Sequence, residues 1–348
     1  MAMHNTTTDT LVIGAGQSGL ATAHHLKNRG IDHVVIDSSP KPGGSWPHYY
    51  DSLTLFSPAR FSALPGLPFP GNPERYPHRD EVVDYLTEYT DRLATDIRYG
   101  HRVVSITSAD SELIAATAEH EIQARRVIVA SGSFTNPHIP SLHGVESFTG
   151  QVLHAAQYRT PQTFAGTRVA VVGAGNSAIQ IAAELAAVSD VSVYSRQPIR
   201  WQRQRFAGRD LHWWLTYSGV DRSRIAARFL AQAVPVLDDG RYRAFFDQGT
   251  VAWHPMFTRI EGEDLIGADG HRRSVDVLLF ATGYRPHVPF LDGTPAVDAV
   301  GKVLHRGGVS TTMPGMGFVG LEHQRSHASA TLRGVGRDAD AVIRRLLP

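Results

Sequence analysis

A chain of 348 residues is long enough for two domains. Its 42% apolar and 19% charged content is that of a globular protein, and a net charge of +1 gives no strong field for nucleic acid or an anionic membrane. No stretch approaches the roughly 20 apolar residues of a membrane span, and with no cysteine, disulfides, a catalytic thiol and a CxxC relay are all excluded. The 18 histidines include no HExxH pair, so no metal site is expected. The opening MAMHNTTTDT lacks the basic and apolar blocks of a signal peptide and is expected to be a short frayed leader on a cytoplasmic protein.

Residues 10–13 predict a short β-branched strand. Gly14, Gly16 and Gly19 follow in G-x-G-x-x-G spacing and open a helix through residue 28, which Gly30 ends. A second strand at 31–36 leads to Asp37. This is a complete βαβ fingerprint. Gly14 allows the tight turn, Gly16 lets backbone approach a pyrophosphate, and Gly19 lets helix lie on strand. The helix N-terminus, with Gln17 and Ser18 in its first turn, favours phosphate charge. A carboxylate at Asp37 accepts hydrogen bonds from ribose hydroxyls and repels a 2′-phosphate, so this site calls for an unphosphorylated ribose. In residues 40–47, Gly44 allows close approach of backbone to a ligand and Trp46 offers a flat face. The Pro- and aromatic-rich residues 50–70 predict a structured loop against a ligand or cleft. A helix is expected at 79–93, with Val82, Val83, Leu86, Tyr89 and Leu93 near one face. Strands at 101–108, 112–117 and 122–130 follow, the last ending in a small-residue turn at Ser131 and Gly132.

The pattern then repeats. Residues 168–172 predict a strand, Gly173 and Gly175 a second turn, and Asn176 and Ser177 the start of a helix to 188, with Ala178 at the third glycine position. A strand at 191–194 ends at Ser195 and Arg196. Asp37 lies 23 positions beyond Gly14, and Arg196 lies 23 beyond Gly173. Where one copy has an acid, the other has a Ser-Arg pair whose planar guanidinium suits a phosphate, so the second site should take NADPH in preference to NADH. Residues 196–243 carry ten Arg against four Asp, interleaved with Trp201, Trp213 and Trp214. The balanced whole-chain charge and the position after a cofactor strand argue against nucleic acid. The stretch is read as an insertion covering the cleft, partly helical at 222–233, with Arg200 and Arg203 nearest a cofactor phosphate. Strands at 250–253, 257–260, 264–266 and 274–280 follow, with a hairpin turn at Asp269-Gly270. Residues 321–332 should begin the final helix and present Gln324 as a polar donor to a ligand. The fold class is therefore α/β, with two Rossmann-like dinucleotide-binding domains. The second (161–280, its insertion at about 197–250) is set into the first (1–160 and 281–348). One chain would hold two dinucleotides and pass electrons between them.

Between the copies stands FTGQVLHAAQYR. Phe148, Gly150, His154 and Tyr158 give F-x-G-x-x-x-H-x-x-x-Y, with Arg159 after it, and FATGY occupies 280–284. With these residues the chain resembles the flavin-containing monooxygenases, class B flavoprotein monooxygenases, in a compact bacterial form. The related Baeyer–Villiger enzymes have Trp-Pro where this chain has Tyr158-Arg159. The resemblance implies FAD at the first site, with contacts from Gly14, Gly16, Gln17, Ser18, Gly19, Asp37, Gly44, Trp46, Val104, Gly132 and Gln324. It implies NADPH (NADP+) at the second, with contacts from Gly173, Gly175, Asn176, Ser177, Ser195 and Arg196. His154 becomes a linker residue coupling domain positions rather than an acid or base. In the implied mechanism NADPH reduces FAD, the reduced flavin adds O2 as a C4a-hydroperoxide sheltered by NADP+, and a small soft nucleophile, a sulfide or amine, takes the distal oxygen. The flavin carries the hard chemistry, so no side chain is assigned a catalytic role. One stretch departs from the family: in Thr54-Leu55-Phe56-Ser57, Phe56 stands where many relatives have an Asn that supports the hydroperoxide. Baeyer–Villiger oxygenation of ketones and a largely uncoupled NADPH oxidase releasing H2O2 stay open beside the first reading. A homodimer is the family expectation. The lack of a C-terminal apolar anchor implies a soluble protein without membrane partners.

Overall fold

The computed structural model describes residues 4–134, 136–223 and 235–347. It begins with β1 (His4–Ile13), α1 (Gln17–Lys27) and β2 (His33–Asp37). From His4 onward the expected frayed leader is instead strand; its first three residues lie outside the described ones. The β-branched run Thr6-Thr7-Thr8 favours extended backbone, and it pairs in register with Ile122-Gln123-Ala124. The helix α2 (Arg79–Leu93) starts on a capping box in which the His78 backbone N–H donates to Glu81 at 2.8 Å. Val82, Leu86, Tyr89 and Leu93 are buried on it, joined by Tyr85. The strands β3 (Ile97–Tyr99), β4 (Ser105–Ala109), β5 (Glu112–Ala116) and β6 (His120–Val129) complete the first run.

The second run comprises β7 (Gln151–His154), β8 (Arg168–Val172), α3 (Asn176–Leu185) and β9 (Asp190–Ser195). An excursion follows through β10 (Trp201–Arg203), β11 (Arg205–Phe206), β12 (Arg209–Asp210), α4 (Leu211–Tyr217) and β13 (Val236–Asp238). The helix expected at 222–233 falls largely outside the described residues. The chain returns through β14 (Val251–Pro255), a three-stranded antiparallel patch of β15 (Arg259–Glu261), β16 (Asp264–Ile266) and β17 (Arg272–Ser274), and then β18 (Val277–Phe280). It ends with β19 (His305–Arg306), β20 (Val309–Ser310), β21 (Met316–Phe318) and a C-terminal helix, Leu332–Leu346. That helix starts at Leu332, not at 321. Before it, Gln324 and Ser329 are spent on local turns: Gln324 Oε1 accepts from Leu321 N at 3.2 Å, and Ser329 Oγ accepts from Arg325 N at 3.1 Å.

Two sheets result. In the first, β21, β6, β1, β2 and β3 lie side by side in parallel, with β19 and β20 continuing one edge and β4–β5 added to β6. The second has the order β14-β9-β8-β18-β7, all parallel. It is buried on both faces, as parallel sheets are: Val169 and Val171 meet Ile179 and Leu185 on one side, Ala170 and Val172 meet Phe257 and Phe280 on the other. β7 pairs with β18, so residues 151–154 belong to the second sheet.

The FTGQVLHAAQYR stretch fastens the halves. The Tyr158 side chain, fully buried, donates to Glu184 Oε2 at 3.0 Å. Arg159 donates to the Tyr49 carbonyl at 2.7 Å, and Tyr50 Oη donates to Gln180 at 2.6 Å. His154 is 1% exposed; its Nδ1 accepts from Ala156 N and its Nε2 donates to the Gly283 carbonyl, each at 3.0 Å. Both ring nitrogens are used within the chain, so the imidazole joins β7 to the second crossover.

Burial holds His154, His212, His254, His305 and His327 below the ordinary imidazole value of 6.5. A lowered folded pKa means that the unfolded chain binds more protons below pH 6.5, so stability must fall as pH falls from 6.5 toward the lowered folded values. Thermal unfolding followed at pH 7.5 and 5.5, by roughly the linkage of several such groups, should give a clearly lower Tm at the acidic pH; an unchanged Tm would mean these rings are not buried neutral.

Candidate active site between two nucleotide nests

The two nests are built alike, atom for atom in their main features. Gly14 takes φ +104° and Gly173 φ +140°, a region L-residues avoid. A Cβ on Gly14 would stand 2.6 Å from the Ala130 carbonyl oxygen, and one on Gly173 2.5 Å from that of Ala281. Ala130 follows β6 and Ala281 follows β18, so each glycine turn lies under the end of the neighbouring strand. The Gly14 N–H donates to Ile36 at 2.7 Å and the Gly173 N–H to Tyr194 at 2.9 Å, holding each turn to its second strand. Gly16 and Gly175 cap α1 and α3 without any side-chain cap, and neither helix has an acidic residue in its first turn. Both N-termini thus keep unpaired donors and positive dipole ends facing outward, the arrangement that receives a pyrophosphate. Gly19 has no room for a side chain: a Cβ there would come 1.7 Å from the Gly14 carbonyl oxygen, whereas the second nest holds Ala178, fully buried, at the corresponding position.

At the first nest Asp37 ends β2, and its carboxylate accepts from Ala15 N at 2.5 Å and Ser39 N at 2.7 Å. Gly44 comes so close to Gly16 that its own Cβ would lie 2.8 Å from the Gly16 Cα, so two glycine backbones form one narrow slot. Gln17 bridges across: its Oε1 accepts from Trp46 Nε1 at 3.1 Å, and its Nε2 donates to the Ala330 carbonyl at 2.5 Å. A cavity of about 1710 Å³ opens here, lined by Gly14, Gly16, Gln17, Ser18, Asp37, Gly44, Trp46, Val104 and Gly132. It extends to Asn176 of the second nest and to the excursion through Arg200, Trp201, Leu211, His212 and Leu237. A space of this size and shape accommodates an extended dinucleotide with room for a second small molecule.

Three expected contacts are placed otherwise. Gln324 is buried, its amide donating to the Phe318 carbonyl at 2.7 Å, and it does not reach the cavity; Gly320, His323, His327 and Arg333 form that wall. Ser195 is turned inward, donating to Gln197 O at 2.6 Å and accepting from Trp253 Nε1 at 2.8 Å, which leaves no hydroxyl proton for a phosphate. Arg203 is exposed off the cavity. Arg196 is exposed, and among the described residues it has no salt bridge. It stands near His138, which burial, then Arg285 and Arg196, hold below the usual imidazole value. Arg285 donates to His138 Nε2 at 2.9 Å. Two guanidiniums therefore gather near His138, Arg196 just past the end of β9 and Arg285, which the sequence reading did not name. Gly173, Gly175 and Ser177 lie in the turn and first helical residues, beside Asn176, whose Oδ1 is taken up by Leu237 N at 3.0 Å.

A polar cluster in the excursion was also missed. Asp210, at the end of β12, gathers Tyr76, Gln204 and His212 around its carboxylate. Gln204 also donates to the Phe56 carbonyl at 3.0 Å, fixing the departure from the family at this wall. Phe56 is 41% exposed into the cavity and stacks on His212 with ring centroids 5.9 Å apart. The only sequence signal for this cluster was a D-x-H spacing, which is common by chance.

A model of the pyridine nucleotide-disulphide oxidoreductase family matches residues 11–228. A doubly substituted form of the flavin monooxygenase from Stenotrophomonas maltophilia superposes with a TM-score of 0.88 at 32% identity, covering 98% of each chain. The chain belongs to the flavin monooxygenases. Within this flavoprotein family of oxidoreductases, it is 31% identical to a CzcO-like oxidoreductase of Geobacillus kaustophilus over 97% of its own length and 98% of that protein. It is 26% identical to a probable indole-3-pyruvate monooxygenase, YUCCA8, of Arabidopsis thaliana, over 80% of this chain and 75% of that one. Like them it is an enzyme, and its fold is the two-nest α/β fold of flavin monooxygenases. The broader family name includes disulfide oxidoreductases; this sequence has no cysteine. Among the described residues no helix is long and apolar enough to cross a membrane.

Proposed function

We propose that this flavin monooxygenase binds FAD in the first nest and NADPH in the second and oxygenates a sulfide or an amine. The observation that carries the reading is the contrast between two nests of one geometry: a carboxylate, Asp37, guards the first, while Arg196 with Arg285 guards the second. The fit to FAD rests on the Gly16–Gly44 slot, the uncapped α1 N-terminus and the carboxylate at the ribose position. FAD, once bound, supplies the activation of O2, and NADPH supplies the two electrons. The chain itself does the rest. Uncapped helix ends hold the phosphates, Trp46, Tyr49 and Phe134 wall the cavity with aromatic surface that excludes water, and His154 with Tyr158 and Arg159 fixes the two sites relative to each other.

The test is oxygen and NADPH consumption with and without a thioether, with peroxide and sulfoxide counted. Stoichiometric sulfoxide supports the reading; NADPH consumption that is unaffected by any nucleophile and ends wholly in peroxide contradicts it. That second outcome has its own structural support. Phe56 presents only an aromatic ring to the cavity, with no donor to retain a reactive oxygen species.

A further inference from the structure

Cofactor binding leaves the Asp210–His212 pair unexplained. Asp210 is 2% exposed, and its carboxylate receives four hydrogen bonds: Tyr76 Oη at 2.6 Å, Gln204 Nε2 at 2.6 Å, His212 N at 2.7 Å and His212 Nδ1 at 2.8 Å. Capping α4 needs only the bond to the His212 backbone; the other three orient a side chain. A carboxylate can only accept, so Nδ1 bears the proton and Nε2 keeps its lone pair. His212 is on the cavity wall, and among the described residues its Nε2 has no hydrogen-bond partner. The groups around the ring are Asp210 and Tyr76 behind it, the buried ion pair of Asp221 with Arg333 at 2.9 Å, in which Asp221 also accepts from Thr216 of α4, and His327 from the C-terminal segment. Burial, together with Arg333, keeps the free imidazole neutral; Asp210 and Asp221 stabilise the imidazolium once a proton arrives. Leu211, Leu215 and Phe56 line the same wall with apolar surface.

We propose that His212 is a catalytic base that takes a proton from a substrate amine, and that this enzyme's substrates are primary or secondary amines arriving as ammonium ions. The inference rests on the monooxygenase reading and narrows its substrate class. An ammonium nitrogen has no lone pair and cannot accept oxygen; transfer of its proton to Nε2 exposes one. The nitrogen then forms an N–O bond with one atom of O2, NADPH gives the two electrons, and the other oxygen leaves as water with the proton His212 collected. The sum is R2NH2+ + O2 + NADPH → R2NOH + H2O + NADP+. A thioether carries no such proton and needs no base.

The experiment compares a weakly basic cyclic secondary amine, such as morpholine, with a thioether of the same skeleton, in the FAD-loaded parent and in His212→Gln and Asp210→Asn. The expected result is an amine-to-thioether ratio of kcat/KM at least about tenfold lower in both variants near pH 7. The ratio should return to within about twofold of the parent at a pH above the amine's own pKa, where the substrate arrives neutral. A ratio that never changes, or that falls equally at both pH values, overturns the proposal. A second arm needs no turnover and no variant: in oxidised holoenzyme labelled with 15N-histidine, adding the amine should shift the His212 Nε2 resonance away from its free-acceptor position, as the lone pair accepts the ammonium N–H, and adding the thioether should not. An unmoved signal overturns the proposal even if activity changes. A parent that oxygenates neither compound contradicts the monooxygenase reading, and the resonance arm then decides by itself whether His212 receives the ammonium proton donor.

Discussion

Gly14→Val should yield a protein that purifies with less than about a tenth of the parent's flavin. Two effects combine. The φ of +104° is unfavourable for a side chain bearing a β-branch, by roughly 1–2 kcal/mol or more. The new Cβ would also stand 2.6 Å from the Ala130 carbonyl oxygen, which belongs to the end of β6 and cannot give way without moving the strand. Relief requires the glycine turn to shift toward the cavity, where the pyrophosphate would lie. Flavin absorbance per chain, with circular dichroism to establish that the fold persists, checks the outcome. Gly30→Ala is the control: φ is +65° there, but no atom lies within 4 Å, and the nest is untouched. A folded yellow Gly14→Val protein would mean that flavin binds elsewhere.

Arg196→Ala should raise the KM for NADPH by about 10- to 100-fold while moving that for NADH by less than about threefold. A charge-assisted contact to a phosphate contributes about 1.5–3 kcal/mol, and each 1.4 kcal/mol is tenfold in binding. NADH has no 2′-phosphate, so it loses nothing at this position. Arg285, on the other side of His138, shares the task and sets the lower end of the range; the double variant Arg196→Ala, Arg285→Ala should reach the upper end. Equal effects on the two nucleotides would remove the phosphate assignment.

These predictions lean on features that were legible in the sequence, and the reason is physical. Glycine at 14 and 173 marks a φ that other residues avoid, so the turns, and the strands and helices on either side, were fixed by local chemistry. The helix at 79–93 was legible because its apolar residues recur at helical spacing. Register was not legible. The Thr6–Thr8 run becomes strand only because β6 extends far enough to pair with it. Side-chain direction was not legible either: Ser195 and Gln324 are polar residues at plausible positions, and each is spent on a nearby backbone carbonyl, of Gln197 and Phe318, because of the local path of the chain. The Asp210 cluster draws Tyr76 from 134 positions away, and no local pattern announces such a meeting. Arg285 was hidden for the same reason, since it reaches His138 across the two crossovers.

The most direct measurement is an anaerobic titration of the purified, FAD-loaded protein with NADPH, followed by flavin absorbance. The account predicts that the flavin bleaches with one equivalent of NADPH per bound flavin and that NADH achieves this only at much higher concentration. A chain that cannot be loaded with flavin, or whose bound flavin NADPH leaves oxidised, would contradict it.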